Sequence, residues 1–567
     1  MRREGPLALL GGFVLAALMF WPLPLNLGSD VPKELADPLL QAWQVAWGGH
    51  ALATQPLDLF QANIFFPLKN SLAFSDALVG YAPAGLVGEG VGAAVRRYNL
   101  LFLFAYALAF AGTYLLAREL GLARWASVLA GAAFAFAPWR LEQDNHLHVI
   151  SSGGIPLCLA LLVRGYRQSR PVVVLLGFAV AAWQVTIGFT LGLPLLYGFA
   201  LAAVAAGVVW LRRGRPALPR AMVVSTALGA VLLVGTAGAL ALPYLEVLDD
   251  HPESRRTEAD LQRFSPPISS FAAAPAENLL WSRPSAPVRD RLPWSVEQTL
   301  FPGLAILALA LFGLARAPLP RRLRIGLGAG VLVVAAFSMG VRFLDGQITY
   351  RLLYEYAPGW QGIRTPGRLN TFTSLGLALL AGGGAAALLA RVSAKRSLML
   401  ATGLCAIVLI EGSGFAVGKE GRGAVAGPIA MEVPDPPPGQ ASVGGPRLHL
   451  PVTSFELSFP YMIWSTEQDF AEIVNGISGF YPRYHERLER RIRGFPDAAS
   501  VDLLREIGVR SVVLHPGNVN ATPWSDWRTR SVEALGVTRD EGGGVVVYRL
   551  GERSQTLEPP PRSSASR

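Results

Sequence analysis

Residues 171–210 read PVVVLLGFAVAAWQVTIGFTLGLPLLYGFALAAVAAGVVW, without one charged side chain. As a helix at 1.5 Å per residue this run would be roughly 60 Å long, about twice the hydrocarbon thickness of a bilayer. It predicts two membrane crossings joined by a tight hairpin near Gly188–Thr190. A soluble fold has no place for a run of this length.

The whole chain agrees. Of 567 residues, 51% are hydrophobic and 16% are charged, and the mean hydropathy is +0.37. Soluble proteins carry about 25% charge. The cysteines, Cys158 and Cys405, sit in separate apolar runs, which argues against a disulfide framework or a cysteine zinc site. The net charge of +10 comes from residues scattered in short loops, so the chain lacks the one-sided basic face of a nucleic-acid binder.

Apolar stretches at 6–26, 98–117, 125–138, 149–163, 171–187, 190–211, 221–243, 298–315, 323–341, 369–390 and 397–416 give a polytopic α-helical membrane protein of about eleven transmembrane helices. The first is expected to be a retained helix rather than a cleaved signal. Alternate loops collect the basic residues: Arg2 and Arg3; Arg118 and Arg124; Arg164, Arg167 and Arg170; Arg212, Arg213, Arg215 and Arg220; Arg316, Arg321, Arg322 and Arg324; Arg391, Lys395 and Arg396. Their only acids are Glu4 and Glu119. These loops are expected to be cytoplasmic, with the N-terminus. The pattern holds if residues 76–95, with Pro83, Glu89 and many glycines, form an interfacial or re-entrant helix rather than a crossing.

Loops 27–97, 139–148, 244–297 and 342–368 then face outward. The expected domains are a membrane domain over 1–416, a Gly/Pro-rich linker over 417–446, an extracytoplasmic α/β domain over 447–552 and a disordered tail over 553–567. In the third, RLHLPV (447–452), SVVLH (511–515) and VVVYRL (545–550) read as strands. ASVDLLREI (499–507) reads as a helix ended near Gly508.

Chemistry should lie where charge survives among the outer loops. In the first, Asp30, Glu34 and Asp37 cluster before an amphipathic run with Trp43 and Trp47. The plainer reading makes Asp37 a helix N-cap, Pro38 the first helical residue and the two tryptophans interfacial anchors. The functional reading makes a carboxylate at the membrane surface a general base for an acceptor hydroxyl. The second outer loop holds Arg140, Glu142, Asp144, His146 and His148, read as a polar helix end or as an acceptor or donor site. His-x-His could ligate a metal, but on a helix the two rings would point apart. Arg96, Arg97, Arg364 and Arg368 run against the charge rule, and they fit either lipid headgroups or a bound phosphate.

An early Asp in a long first loop, interfacial helices, then Arg97 and the 140–148 cluster follow one another in an order that resembles the GT-C superfamily of membrane glycosyltransferases. DPLLQAW (37–43), NIFFP (63–67), FAPWRLEQDNHLH (136–148), GIRTPGRLN (362–370) and NGISGFYP (475–482) resemble a bacterial branch of GT-C-like proteins more closely. The resemblance implies a multi-pass protein of the bacterial inner membrane, with a polyprenyl-phosphate sugar donor and a glycan, lipid or protein acceptor as partners. It also implies Asp37 as the catalytic base, with Asp30 next. Asp144, His146 and His148 would be catalytic or acceptor-binding, and Arg97, Arg364 and Arg368 would bind the donor phosphate. Some branches carry paired acids in the first loop, and this chain has none. It is therefore expected to need no cofactor; a divalent metal is possible but has no support in these residues.

Two other readings stand beside an inverting glycosyltransferase. A transporter or translocase of lipid-linked saccharides would carry polar residues through mid-span and show two related halves. A non-catalytic GT-C-like protein would serve envelope assembly through its C-terminal domain.

Overall fold

The computed structural model describes residues 4–215, 219–417, 424–426, 430–440, 443–452 and 455–551. Helices dominate. The first nine are α1 (Glu4–Met19), α2 (Asp37–Thr54), α3 (Gly90–Glu119), α4 (Arg124–Ala135), α5 (Leu147–Ile150), α6 (Gly154–Arg167), α7 (Pro171–Ile187), α8 (Phe189–Arg212) and α9 (Arg220–Asp250). There follow α10 (Glu258–Phe264), α11 (Ser282–Arg289), α12 (Ser295–Gln298), α13 (Leu304–Arg316), α14 (Arg321–Ser338), α15 (Tyr350–Tyr356), α16 (Asn370–Leu389) and α17 (Ala394–Glu411). The C-terminal region adds α18 (Phe455–Trp464), α19 (Arg483–Arg491) and α20 (Ala498–Glu506). Each stretch expected to span contains a helix, but 6–26 is α-helical only to Met19, 298–315 only from Leu304, and 149–163 is broken between Ile150 and Gly154. Five helical segments among the described residues are long and apolar enough to cross a membrane: Gly90–Glu119, Leu147–Arg167, Phe189–Arg212, Arg220–Asp250 and Pro366–Leu389.

The long α3 is packed between α1, α2, α4 and α6, and α16 lies between α4, α13 and α14. Small residues let these helices meet backbone to backbone. A Cβ at Gly313 of α13 would overlap the Leu380 carbonyl of α16. The turn read at Gly188–Thr190 is present between α7 and α8. Asp76 closes it by accepting from the Phe189 N–H at 2.6 Å and from the Thr190 hydroxyl. Glu411, at the end of α17, does the same for α13 by accepting from the N–H groups of Leu304 and Ala305 at 3.0 and 2.8 Å.

Residues 76–95 do not form one helix. A 3₁₀ helix, Val79–Leu86, is followed by Gly88 and Gly90 at φ +78° and +80°, and α3 begins at Gly90. Pro83 and the two left-handed glycines break the stretch. Arg96 and Arg97 consequently lie in the second turn of α3, not at the mouth of a span beginning at 98.

Strands β1 (Asp30–Pro32), β2 (Phe415–Val417), β3 (Ala424–Ala426), β4 (Ala430–Glu432), β5 (Arg447–Leu450), β6 (Ser511–Leu514), β7 (Thr538–Gly542) and β8 (Val545–Arg549) complete the chain. β5, β6, β8 and β7 form one sheet in that order, with β5 parallel to β6 and the other pairs antiparallel. The fully buried SVVL of β6 is a central strand, and the charged TRDEG of β7 is an exposed edge. On the sheet, Leu488, Ile492, Val501 and Leu504 of the helical layer pack with Val512, Leu514 and Tyr548. Asp497 and Ser500 form a capping box on α20, and Gly508 follows its end at φ +92°.

The C-terminal region is bound into the first loop. β1 pairs with β4, Asp30 opposite Glu432. Phe65 donates its N–H to the Asn475 carbonyl, Phe66 to that of Ile473, and Ile473 returns one to Asn63, at 3.1, 3.1 and 2.8 Å. Glu467 accepts from the Val91 N–H at 2.7 Å at the head of α3. The expected linker thus contains a strand of the first loop's own sheet, and part of it, like the expected tail from 553, lies outside the described residues.

Candidate active site

α2 begins at Asp37 itself. Ala36 occupies the cap position, its carbonyl accepting from Leu39 and Leu40, and the Asp37 carboxylate makes no capping bond. Trp43 and Trp47 are no interfacial anchors. Both are buried, donating to Asn63 Oδ1 at 3.1 Å and the Leu59 carbonyl at 2.9 Å. The carboxylate that the plainer reading used locally points to the second outer loop instead.

His146 Nε2 lies 3.1 Å from Asp37 Oδ2 and 3.7 Å from Glu297 Oε1. Asp37 is 34% exposed and His146 only 8%. Glu297 is gripped by Arg368, whose Nη2 lies 2.6 Å from Oε1 and whose Nε lies 3.4 Å from Oε2. Arg368 Nη1 lies 3.0 Å from His148 Nε2, and that nitrogen is 3.8 Å from Asp76 Oδ2. Arg368 can only donate, so His148 accepts with a neutral ring. Asp37, His146, Glu297, Arg368, His148 and Asp76 thus form one continuous polar chain, drawn from α2, the bend before α5 and α5 itself, α12, the turn before α16 and the first-loop segment ahead of Val79–Leu86. Burial works against the charged form of Glu297, but Arg368 and its neighbours hold the carboxyl down to about 2.

The two histidine rings do not diverge. His146 precedes α5 at φ −113°, ψ 80°, outside helical geometry, and the rings meet edge to face with centroids 5.7 Å apart. Gln41 of α2 fixes this bend, since its Nε2 donates to the Asn145 carbonyl at 3.1 Å and its Oε1 accepts from the Leu147 N–H.

A second buried cluster braces the loop. Lys33 Nζ lies 3.1 Å from Glu142 Oε1, the Leu141 carbonyl and the Glu142 carbonyl, and 3.4 Å from Glu277 Oε1. Desolvation opposes its charge, but Glu142, Glu277 and Asp144 together push the amine well above its ordinary value. Burial lifts the carboxyls of Glu142 and Asp144 to about 7 against the pull of Lys33. Asp144 accepts from the Tyr106 hydroxyl deep inside, away from the Asp37 chain. Arg140 donates to Ser152 Oγ and the Ile150 carbonyl at 3.0 and 2.8 Å and lies over the Tyr106 ring.

Three guanidiniums, those of Arg256, Arg364 and Arg368, lie close together, near enough to disfavour the charge of the first two. Burial, then Arg364 and Arg368, lower Arg256 to about 10; burial, then Arg368, lower Arg364. Arg256 donates to the Gly479 carbonyl at 3.0 Å, and its Nε is buried without a partner. Arg364 lies over the Phe264 ring at 5.1 Å, and no hydrogen bond or ion pair to a described residue holds it. Arg97 stands apart, its Nη1 bound by the carbonyls of Val87 and Gly88 at 2.5 Å each. Asp30 is likewise engaged, accepting from Ser29 and Asn26 at 2.7 and 3.1 Å. Among the described residues no group of three or more His, Cys, Asp or Glu side chains could hold a metal ion.

Sequence reading missed Glu297, Asp76, Lys33 and Arg256. Lys33 had a signal: in a chain whose bases are nearly all arginine, it is one of only four lysines. Arg256 also falls in a loop expected to face outward, against the charge rule, like Arg364.

No known protein family and no curated protein matches the chain. Solved structures do. The Archaeoglobus fulgidus oligosaccharyltransferase in its apo form is 13% identical with a TM-score of 0.44, over 90% of this chain and 69% of that one. The same archaeon's AglB with an inhibitory peptide and a dolichol-phosphate gives 13% and 0.43, over 99% and 75%. ArnT from Cupriavidus metallidurans with undecaprenyl phosphate gives 13% and 0.31, over 98% of each chain. Likeness at this level assigns no residue. These neighbours are membrane glycosyltransferases of the GT-C superfamily, which the sequence also resembles.

Proposed function

We propose that this chain is a membrane glycosyltransferase that moves a sugar from a polyprenyl-phosphate donor to a hydroxyl-bearing acceptor, with inversion. One observation carries the reading: a part-exposed carboxylate, Asp37, is held by a buried histidine in the same polar chain as Arg368, and Arg368 in turn belongs to a group of three arginines. Asp37 takes the acceptor's hydroxyl proton. The freed oxygen attacks the anomeric carbon, the bond from that carbon to the phosphate oxygen breaks, and the lipid phosphate leaves with the electron pair. Arg364 and Arg256 meet its growing charge. His146 holds Asp37, and Arg368 holds Glu297 beneath it.

In this reading the Asp37 end of the bundle and the 447–552 domain face outward from the bacterial plasma membrane. The basic loops and the N-terminus face the cytoplasm, which is what the charge asymmetry of the loops supports. The donor's polyprenyl chain lies in the membrane beside the spans. The acceptor, whether glycan, lipid or protein, approaches from the outer side.

The test is genetic. The gene is deleted, envelope glycans and lipid-linked sugars are profiled, and the strain is complemented with wild type or Asp37→Asn. The reading expects an altered profile that wild type restores and the variant does not. Full rescue by Asp37→Asn removes the base, and an unchanged profile in the deletion removes the enzyme.

A further inference from the structure

At the opposite end of the bundle from Asp37, α6 and α14 leave a cleft of about 550 Å³ between them. α6 starts next to the His146–His148 bend and runs 14 residues away from it, roughly 21 Å. From its middle to its far end it supplies Leu159, Leu162, Tyr166 and Arg167 to the cleft, and the start of α14 supplies Arg322 and Leu323. The trough is apolar along its length and cationic at its rim.

The charges around it explain the rim. Glu4 is engaged by Arg118 and Arg124 at 3.2 and 3.0 Å. Glu119 is engaged by Arg164 at 2.6 Å, and its carbonyl accepts from Arg167. The acids at this end are thus occupied, and Arg322 is exposed with no hydrogen bond or ion pair to a described residue. A neutral apolar guest would gain nothing from a rim of guanidiniums. A guest with acyl chains and a phosphodiester would fill the trough and satisfy the rim together.

We propose that the α6–α14 cleft is a binding site for an anionic phospholipid of the leaflet opposite the Asp37 site. The acyl chains lie along Leu159, Leu162 and Leu323, and the phosphodiester meets Arg322 and the unused N–H groups of Arg167. Tyr166, anchored by a 2.9 Å hydrogen bond between its hydroxyl and Thr226 of α9, closes one side. The inference rests on the chain being membrane-spanning and is independent of the transfer reaction.

The test uses the full-length protein in detergent. Phosphatidylglycerol and phosphatidylcholine with the same acyl chains are titrated in, and retained lipid is read by native mass spectrometry. Phosphatidylglycerol should be retained in preference. Arg322→Ala and Arg167→Ala should each lower its retention by roughly fivefold, and Leu323→Trp, which fills the trough, should lower retention of both lipids. Arg322 is exposed and unbonded, so its variant should melt with wild type, which keeps the test valid if Arg167→Ala does not fold. Equal retention of the two lipids, or phosphatidylglycerol binding undiminished in Arg322→Ala, overturns the proposal. Displacement of phosphatidylglycerol by undecaprenyl phosphate also overturns it, by assigning the cleft to the polyprenyl lipid. None of these outcomes touches Asp37, so the site fails or stands separately from the transferase reading.

Discussion

Asp37 Oδ2 and His146 Nε2 lie 3.1 Å apart, while the other ring nitrogen of His146 is buried without a partner. A proton on Nδ1 would be stranded, so the neutral ring carries its proton on Nε2 and donates it to Asp37. That fixes one carboxylate oxygen and leaves the other for an acceptor. Asp37→Asn should lower transfer by about a hundredfold to ten-thousandfold with the melting temperature unchanged. His146→Ala should lower kcat less, with little change in KM for the donor. A rate unaffected by Asp37→Asn, measured on purified protein, refutes the assignment.

Arg364 stacks on Phe264 but makes no hydrogen bond or ion pair to a described residue. Arg364→Ala should therefore weaken donor binding by roughly ten- to hundredfold, as for a lost charge-assisted hydrogen bond, and leave thermal stability intact. Arg256→Ala should also weaken donor binding but destabilise somewhat, because Arg256 supports the Gly479 carbonyl. Lysine at either position should restore part of the loss. Donor KM against melting temperature separates the two roles, and normal donor KM in both variants would exclude a phosphate site there.

Lys33 is a brace rather than a reagent. Lys33→Met removes the cation between Glu142 and Glu277 and leaves two carboxylates facing each other. A loss of about 3–5 kcal/mol is expected, as for a buried ion pair stripped of one partner. Thermal unfolding should show it, and Lys33→Arg should recover only part. A stable Lys33→Met protein would mean that the acids protonate without cost.

Asp144 is raised to about 7 by burial, whereas an unfolded chain releases that proton near the ordinary 3.8. The folded state holds the extra proton, so this contribution is complete at low pH and is lost as pH rises through about 7. Glu142, raised to a similar value, acts in the same direction. Glu297, held down to about 2, acts in the opposite sense, and its contribution disappears only as pH falls toward that value. Melting temperature should decline between about pH 4 and 7, and Asp144→Asn should flatten the decline. Identical slopes for wild type and variant would contradict it.

The helices and the C-terminal strands were legible because both follow from patterns within a few residues: apolar runs for α7 and α8, alternating or continuous apolar residues for β6 and β8, and Gly188 and Gly508 for their breaks. Asp37, His146, His148 and Arg368 were legible as residue types in the loops expected to face outward. Their partners were not. Glu297 sits 151 positions after His146 and reads locally as a polar residue ahead of an apolar run, and Asp76 reads as one acid in a glycine-rich stretch. The reading of His-x-His failed for a definite reason. It assumed helical phases, and His146 lies just outside the helix.

The backbone bonds between the first loop and residues 471–475 also set an order of events. Asn63 waits for Ala471, 408 residues downstream, to receive its side-chain amide. At roughly 5–20 residues per second of synthesis, that is about 20–80 s. During that interval Asp37 has emerged while the segment that steadies its loop does not yet exist. A truncated chain is therefore more than a protein missing its last domain. It is a membrane bundle whose earliest loop has never been closed.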